Sequence, residues 1–164
     1  MPAAPFPSDE SQRLAALREL LILDTPPEER FDRIVRFAAD EFDAPIALVS
    51  LVDSERQWFK ARVGLDICET GRDAAFCAYA ILKPEVMVVE DALADPRFVD
   101  NPLVLGAPGI RFYAGAPLEV GGRRVGTLCV IDVRPRHFDA TDAAVLRAMR
   151  TLVEEELARA MEAA

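Results

Sequence analysis

The spacing of apolar residues changes from helical to alternating and back along this chain, and this change constrains the fold more than any other feature. Between Phe31 and Phe42 apolar residues recur every three or four positions, which predicts an amphipathic helix. The stripe consists of Phe31, Ile34, Val35, Ala38 and Phe42. Before it, Thr25-Pro26-Pro27-Glu28 predicts the helix start, with the threonine as the cap and the glutamate as its reciprocal partner. Pro45 ends the pattern.

Four segments alternate with a period of two and predict β-strands. Residues 46–52 and 57–63 flank a polar turn, so they predict an antiparallel hairpin. Residues 110–120 and 125–132 predict a second hairpin, because the pair Gly121-Gly122 between them suits a tight turn.

Three further helical patterns accompany the strands. Residues 8–21 carry leucines at helical spacing and predict a first helix. These leucines are Leu14, Leu17 and Leu21. Residues 76–81 predict a short helix with Asp73 as its cap, and Asp139 and Asp142 open a last helix that runs nearly to the end.

A brief strand at 86–89 and a long loop over 91–109 complete the pattern. The loop is rich in Asp, Pro and Gly, and its length indicates a functional role or a short extra helix. Together the elements predict an α+β domain with a central, mostly antiparallel sheet of five to six strands flanked by helices.

The chain length, net charge and cysteine content limit the classes of function that this protein can have. The 164 residues suffice for one domain, expected over residues 9–161 behind a flexible arm at 1–8. A net charge of −9 argues against a nucleic-acid partner. No apolar run approaches the roughly 20 residues of a membrane span, and the start lacks the basic residues of a secretory signal. Cys68, Cys77 and Cys129 form no CxxC pair, which favours reduced thiols in a cytoplasmic protein.

Neither a metal site nor a catalytic residue is expected. The one histidine, His137, lies far in sequence from the cysteines, whereas a structural zinc site needs about four nitrogen or sulfur ligands. One alternative stays open, because Cys77 on the short helix and Cys68 in the loop before it could act as a thiol pair. Cys129 is expected as a buried strand residue.

Several motifs stand in a fixed order along the chain. They are Leu23-Asp24-Thr25-Pro26-Pro27-Glu28, Val49 to Asp53, Gln57-Trp58-Phe59, Phe76-Cys77-Ala78, Asp91-Ala92, Asp95-Pro96-Arg97-Phe98, Asn101-Pro102, and the runs 110–118 and 126–132. Over about residues 10–155 the chain therefore resembles the GAF domains found at the front of bacterial sensor histidine kinases and diguanylate cyclases.

This resemblance implies a GAF/PAS-like sheet with the terminal helices on one face and a pocket on the other. The short third helix and the long loop would roof the pocket, and the first and last helices would pair with those of a second copy. The ligand stays open, since GAF domains variously bind cyclic nucleotides, haem, bilins or small metabolites. Tyr79 stands where many relatives have a histidine, which removes a metal, haem or bilin contact and leaves the cofactor unknown.

The residues expected to line the pocket come from the two hairpins, the short helix and the long loop. They are Trp58, Cys77, Tyr79, Phe98, Arg111, Tyr113 and Cys129. Arg111 and Tyr113 would share one strand face, where a guanidinium beside a phenol suits an anionic or planar ligand. Alternatively, Arg111 pairs with Asp95 or Asp100 and holds the loop.

Phe98 and Trp58 are the aromatic residues that the long loop and the first hairpin contribute to this set. Phe98 is expected either as an apolar lid or as the anchor of the loop to the core. Trp58 and Phe59 point to opposite faces of their strand, and Trp58 is expected at the rim of the pocket.

The sequence thus predicts a stand-alone sensory or regulatory GAF domain that binds a small molecule. Ordering of the long loop would shift the terminal helices and so the contact with a second copy or a separate signalling protein. The sequence contains no kinase, cyclase or other output module after the last helix, so we expect either output through such a contact or a chain that is a piece of a longer sensor. Two alternatives remain: an oxidoreductase of the free methionine sulfoxide reductase type that uses Cys68 and Cys77, and an interaction or dimerisation module without a ligand.

Overall fold

The computed structural model describes residues 3–163, so the first two residues of the expected arm lie outside the described part. The helices are α1 (Glu10–Glu19), α2 (Glu29–Glu41), α3 (Phe76–Ala80), α4 (Pro102–Leu105) and α5 (Ala140–Ala163). The strands are β1 (Ile46–Val52), β2 (Arg56–Val63), β3 (Glu69–Gly71), β4 (Met87–Val89), β5 (Phe112–Val120) and β6 (Arg123–Asp132). Two 3-10 turns lie at Arg72–Ala74 and Ala92–Ala94.

The strands form one six-stranded sheet in the order β3-β2-β1-β6-β5-β4, and every neighbouring pair is antiparallel. Both predicted hairpins are present, as β1-β2 and β5-β6. The predicted α+β class with a central antiparallel sheet is therefore confirmed. β3 was missed by the sequence analysis, because three residues in a loop give too short an alternation to detect.

The sheet separates two hydrophobic cores. Helices α1, α2 and α5 pack on one face, which we call the helix face. Helix α3 and the long loop with α4 pack on the other, which we call the cavity face. The largest fully buried side chains include Phe31 and Leu146 on the helix face, and Phe98 and Tyr113 on the cavity face.

The start of α2 differs from the prediction. The helix begins at Glu29, and Glu28 occupies the N-cap position without a side-chain cap. Thr25 accepts a hydrogen bond of 2.8 Å from Lys60 Nζ, which also donates to the Pro26 carbonyl at 2.6 Å and pairs with Glu28 at 2.7 Å. The Lys60 side chain is fully buried. The motif therefore binds a buried ammonium group, and buried charge requires such partners.

Two further local predictions were wrong. Leu21 lies beyond the end of α1 with a positive φ of 52° and is 71% exposed, so it does not extend the buried stripe. Arg13 is buried instead, because its guanidinium donates to the Val52 carbonyl at 2.7 Å. Asp73 lies in a 3-10 turn and does not cap α3, whose N-cap position has no side-chain hydrogen bond.

The start of α5 follows the prediction. The Asp139 amide donates to Asp142 Oδ2 at 3.0 Å, and the Asp142 amide donates to Asp139 Oδ1 at 2.9 Å. This reciprocal pair satisfies two amide groups at the helix start. From there α5 packs against β5 and α2. Among residues 3–163, no helix has the length and apolar character needed to cross a membrane.

Candidate functional site

A cavity of about 30 Å³ lies on the cavity face, between the sheet, α3 and the loops. The sheet contributes Leu48, Phe59, Tyr113 and Ile131, and α3 contributes Phe76 and Cys77. Leu103 of α4 and the loop residues Ile67 and Pro108 complete the lining. This is the side on which the sequence analysis expected the pocket. Its volume is two to three times the roughly 10–15 Å³ that a cavity needs to hold one water molecule.

Polar side chains fix α3 over this cavity. Arg124 of β6 donates through Nε to the Ile81 carbonyl at 2.6 Å, which satisfies a carbonyl at the C-terminal end of the helix. Asn101, fully buried, donates to the Ala74 carbonyl at 3.1 Å just before α3. The Asn101 side chain also caps α4 by accepting from the Leu103 amide at 2.8 Å. The two structures that roof the cavity are therefore tied to each other.

Tyr113 crosses the floor of the cavity over a glycine. A β-carbon built on Gly115 would lie 2.2 Å from Tyr113 Oη, so the phenol occupies the place of the missing side chain. Lying there, the hydroxyl reaches Cys77 Sγ at 3.1 Å. Thr127 Oγ1 contacts the same sulfur at 3.1 Å. The Cys77 thiol is thus held between two hydroxyl groups at the floor of the cavity.

The thiol of Cys129 completes this buried cluster. Burial raises the pKa of Cys77, but hydrogen bonds from Cys129, Thr127, Tyr113 and Ser50 outweigh it and lower the pKa to about 6. The contribution of Ser50 is the smallest. Its hydroxyl donates to Gln57 Oε1 at 3.0 Å.

The pKa values of the other two acidic groups of the cluster, Cys129 and Tyr113, are shifted in the opposite direction. Burial and the neighbouring Cys77 raise the pKa of Cys129 and that of Tyr113. The proton of the cluster is therefore lost first from Cys77, while Cys129 and Tyr113 stay neutral and can donate.

Trp58 does not reach the cavity, and its expected position is corrected. Between the pairs Val49↔Ala61 and Ser50↔Phe59 the β1-β2 register shifts, which leaves Lys60 as an extra residue in β2. A bulge reverses the alternation of side chains beyond it. Trp58 consequently packs in the helix-face core, and Phe59 lines the cavity.

Phe98 and Tyr79 lie behind the cavity wall rather than in it. Phe98 is fully buried and stacks on Phe76 with ring centroids 4.0 Å apart. Of its two expected roles, Phe98 therefore takes that of the loop anchor. Tyr79 meets Phe98 edge-on at 5.2 Å and lines a shallow surface pocket with Arg97. Its expected place in the main cavity is corrected, because α3 turns this side chain outward.

Arg111 stabilises the long loop through backbone carbonyls. It precedes β5 and donates to the Val104 carbonyl at 2.8 Å and to its neighbour Ile110 at 3.0 Å. Asp95, one of its expected partners, pairs with Arg97 at 2.7 Å. Arg111 is absent from the lining of the cavity, so the expected shared face with Tyr113 is corrected. Because Arg111 lies before the first residue of β5, the alternation of side chains along that strand does not determine its direction.

Cys77, Cys129 and Tyr113 are brought together, whereas Cys68 is not part of their cluster. Cys68 is exposed, and its carbonyl accepts from the Phe59 amide at 3.0 Å. The sulfur partner of Cys77 is therefore Cys129 and not the expected Cys68. In the described part of the chain, no group of three or more His, Cys, Asp or Glu side chains could hold a metal ion.

A sequence profile of the GAF domain family matches residues 26–157. The chain belongs to the GAF domain family. The resemblance expected from its motifs is thereby confirmed.

A curated relative of this GAF domain is a much longer protein. Over 137 residues the domain is 51% identical to a cyclic di-GMP phosphodiesterase of Pseudomonas aeruginosa. The matched region is 83% of this chain but only 23% of the relative, so the chain spans less than a quarter of that protein.

Solved structures with the same fold come from different functional classes. The free methionine-R-sulfoxide reductase of Neisseria meningitidis, solved with its substrate, has a TM-score of 0.68 at 21% identity, with 100% of both chains covered. The GAF domain of an Acinetobacter phosphoenolpyruvate-protein phosphotransferase has a TM-score of 0.67 at 18% identity, covering 93% of this chain and 96% of that one. At these identities the likeness shows the fold alone.

Several residues that build the site of this GAF domain were not predicted from the sequence. Phe59 and Phe76 line the cavity, and Thr127 holds the Cys77 sulfur. One signal was available, because Thr127 and Cys129 are two positions apart on one strand and therefore share a face. That spacing places a hydroxyl and a thiol side by side.

Proposed function

We propose that this GAF domain is a regulatory module that pairs with a second copy through α2 and α5, instead of through the expected first and last helices, and receives its signal on the cavity face. The observation that carries the proposal is an exposed apolar groove between α2 and α5, on the face opposite to the cavity. Phe37 of α2 is 58% exposed and Leu152 of α5 is 47% exposed within it. Exposed apolar side chains grouped on two neighbouring helices are typical of interaction surfaces.

The charges around the groove favour a second copy as the occupant. Arg33, Glu155 and Arg159 border the groove, so both signs of charge stand on one surface. A twofold axis brings a patch against itself, and a patch with both signs can then pair its arginines with the glutamates of the other copy. Dimerisation and a cytoplasmic location with reduced thiols are parts of this proposal.

The small cavity supports a signal that changes the conformation of the roof. Pockets for cofactors and nucleotides usually have about 300–1,000 Å³, about ten to thirty times the cavity volume here. A larger ligand would therefore bind only a state in which the long loop and α3 have moved outward. Such a ligand shifts the population toward the open state, and the expected contacts are Cys77, Tyr113 and Cys129.

The similarity to a phosphodiesterase supports a proposal about which kind of signalling module this domain regulates. Since a domain 51% identical to this chain lies within a cyclic di-GMP phosphodiesterase, we propose that this domain regulates an output module of cyclic di-GMP signalling. That module would stand in the same polypeptide or in a separate partner. A single domain over residues 9–161 behind a flexible arm at 1–8 belongs to the same proposal.

A catalytic function is less well supported than a regulatory one. The reductase of similar fold acts on an amino-acid-sized sulfoxide, whereas the cavity beside Cys77 has about 30 Å³. We therefore propose that the domain itself is not an enzyme. The remaining candidate, an interaction module without any ligand, is favoured by the way in which Phe59, Phe76 and Tyr113 fill the cavity face.

Native mass spectrometry of the freshly purified chain tests the proposal, because it reports stoichiometry and retained small molecules together. A dimer that carries additional mass supports the regulatory module with a ligand. A dimer without additional mass supports the interaction module. A monomer at every concentration contradicts the pairing through α2 and α5.

A further inference from the structure

Two buried cysteines lie close together beneath α3, and nothing in the regulatory proposal uses their chemistry. Cys77 is 2% exposed and Cys129 is fully buried. Thr127 contacts the Cys77 sulfur, and Cys129 lies two positions further along β6 on the same face of the strand. They come from α3 and from the central strand β6, so tertiary packing and not chain proximity brings them together. Cys77 also contacts the hydroxyls of Tyr113 and Thr127, each at 3.1 Å.

The surroundings of Cys77 favour its thiolate. Tyr113 and Thr127 can both donate to a deprotonated sulfur, and the Cys129 thiol adds a third donor. These donors lower the pKa of Cys77 to about 6 despite its burial. The thiolate is the nucleophilic form of cysteine, so Cys77 rather than Cys129 is the attacking sulfur.

The cavity restricts what can reach this sulfur. Cys77 lines a space of about 30 Å³, two to three times the roughly 10–15 Å³ that a cavity needs to hold one water, so only a molecule of a few heavy atoms can enter. Hydrogen peroxide or another small hydroperoxide meets this limit, whereas an amino-acid-sized sulfoxide does not. The other lining residues are mostly apolar, with Leu48, Phe59 and Ile131 among them, so an uncharged oxidant is favoured over an ionic one.

We propose that Cys77 and Cys129 form an oxidant-sensitive dithiol that a small hydroperoxide converts into an intramolecular disulfide. The Cys77 thiolate attacks one oxygen of the hydroperoxide, and a sulfur–oxygen bond forms as the oxygen–oxygen bond breaks. The leaving oxygen takes a proton and departs as water or an alcohol. Cys77 is then a sulfenic acid, one step up the oxidation ladder of cysteine.

Cys129 completes the reaction. Its sulfur attacks the sulfenic sulfur of Cys77, the disulfide forms as the sulfur–oxygen bond breaks, and the hydroxide leaves as water with the proton of Cys129. In total two thiols are oxidised and one hydroperoxide is reduced. A disulfide brings the two sulfurs to about 2.05 Å, so Cys77 must leave its contacts with Tyr113 and Thr127. Helix α3, which roofs the cavity, is thereby drawn toward β6.

This chemistry goes beyond the proposed regulatory role and can be tested without it. The experiment uses the full chain with the Cys68→Ser substitution, since Cys68 is exposed and would react independently. The protein is treated with hydrogen peroxide, free thiols are alkylated, and the digest is analysed by mass spectrometry. We expect a Cys77–Cys129 cross-linked peptide within one chain that dithiothreitol reverses. Two free thiols after treatment, or overoxidation of Cys77 without a cross-link, would overturn the proposal.

Two variants in the Cys68→Ser background separate the roles of the thiols. With Cys129→Ser, the sulfenic acid at Cys77 persists and dimedone traps it. With Cys77→Ser, oxidation of Cys129 slows at least about tenfold, because a neutral thiol is a poor nucleophile. Oxidation of Cys129 at the same rate with and without Cys77 contradicts the assignment. Circular dichroism checks the fold, and Cys77→Ala replaces the serine variant if the latter does not fold.

A second oxidant tests the size argument. Free methionine sulfoxide takes the place of hydrogen peroxide under the same conditions, and we expect both thiols to remain free. Formation of the same disulfide with methionine sulfoxide would overturn the assignment of a small hydroperoxide and favour a sulfoxide reductase instead.

Discussion

Tyr113 lies across Gly115, with its hydroxyl where the β-carbon of any other residue would stand. The two residues are two positions apart on β5 and therefore share the cavity face. A β-carbon on Gly115 would be 2.2 Å from the oxygen of Tyr113. Because this glycine leaves the space free, the hydroxyl reaches Cys77 at 3.1 Å. The geometry of the thiol cluster thus depends on a missing side chain.

Gly115→Ala should destabilise the domain and displace the phenol from Cys77. We expect a loss of about 1–3 kcal/mol in the free energy of unfolding, the usual range for an overpacked core. Urea denaturation measures it. Gly71→Ala is the matched control, since a β-carbon there would meet nothing within 4 Å. Equal stability of the two variants would contradict the close contact between Tyr113 and Gly115.

Tyr113→Phe should raise the pKa of Cys77 while leaving the ring packing intact. The hydroxyl donates to the thiolate, and removing a donor to the charged form makes deprotonation less favourable. The pKa should move from about 6 toward the ordinary value of 9.0. Thiolate absorbance is followed against pH in the Cys68→Ser background. An unchanged titration would show that Tyr113 does not stabilise the thiolate.

Lys60→Met should destabilise the junction between α2 and the sheet. The buried ammonium donates to Thr25 and to the Pro26 carbonyl and pairs with Glu28, and a thioether offers none of these bonds. We expect a loss of about 2 kcal/mol in the free energy of unfolding, because three partly buried or exposed acceptors lose the charged donor that ties them to the sheet. Lys83→Met is the control, since Lys83 is exposed. A loss as small as that of the control would contradict this role of Lys60.

Glu10 should contribute to stability at neutral pH and lose that contribution in acid. Burial raises the pKa of Glu10, but hydrogen bonds from Arg13 and Arg72 outweigh it and hold the pKa below its ordinary 4.5. A group with a lowered folded pKa stabilises the protein above its unfolded pKa, and the effect disappears as the pH falls through the folded value.

The Glu10→Gln variant should therefore be less stable than the wild type at pH 7 and should lose less stability on acidification below about 4.5. Urea denaturation at a series of pH values measures this, with Glu19→Gln as an exposed control on the same helix. A parallel loss of stability in the wild type and in Glu10→Gln would mean that Glu10 is not the group responsible.

Features that depend on neighbouring residues could be predicted from the sequence. The start of α5 is an example, because Asp139 and Asp142 satisfy each other's amides within one turn. The β5-β6 hairpin is another, since Gly121 and Gly122 both adopt the positive φ values that its turn requires. In both cases the physical cause is contained in a few consecutive positions.

Features that depend on strand pairing could not be predicted in this way. The face of Trp58 is set by the extra residue Lys60, and that bulge exists only where β2 pairs with β1. The partner of Cys77 is likewise set by the register of β6, which places Cys129 and Thr127 beneath α3. Sequence alternation predicts that two residues share a face, but not which distant helix lies above them.

The central claim is that this GAF domain pairs with a second copy through the groove between α2 and α5. Sedimentation velocity over a range of concentrations tests it most directly, with the wild type beside Leu152→Asp. Leu93→Asp is the control, since Leu93 is 44% exposed and lies in the 3-10 turn of the long loop. We predict a dimer for the wild type and for Leu93→Asp, and a monomer for Leu152→Asp. A monomeric wild type, or a Leu152→Asp variant that remains dimeric, would contradict the claim.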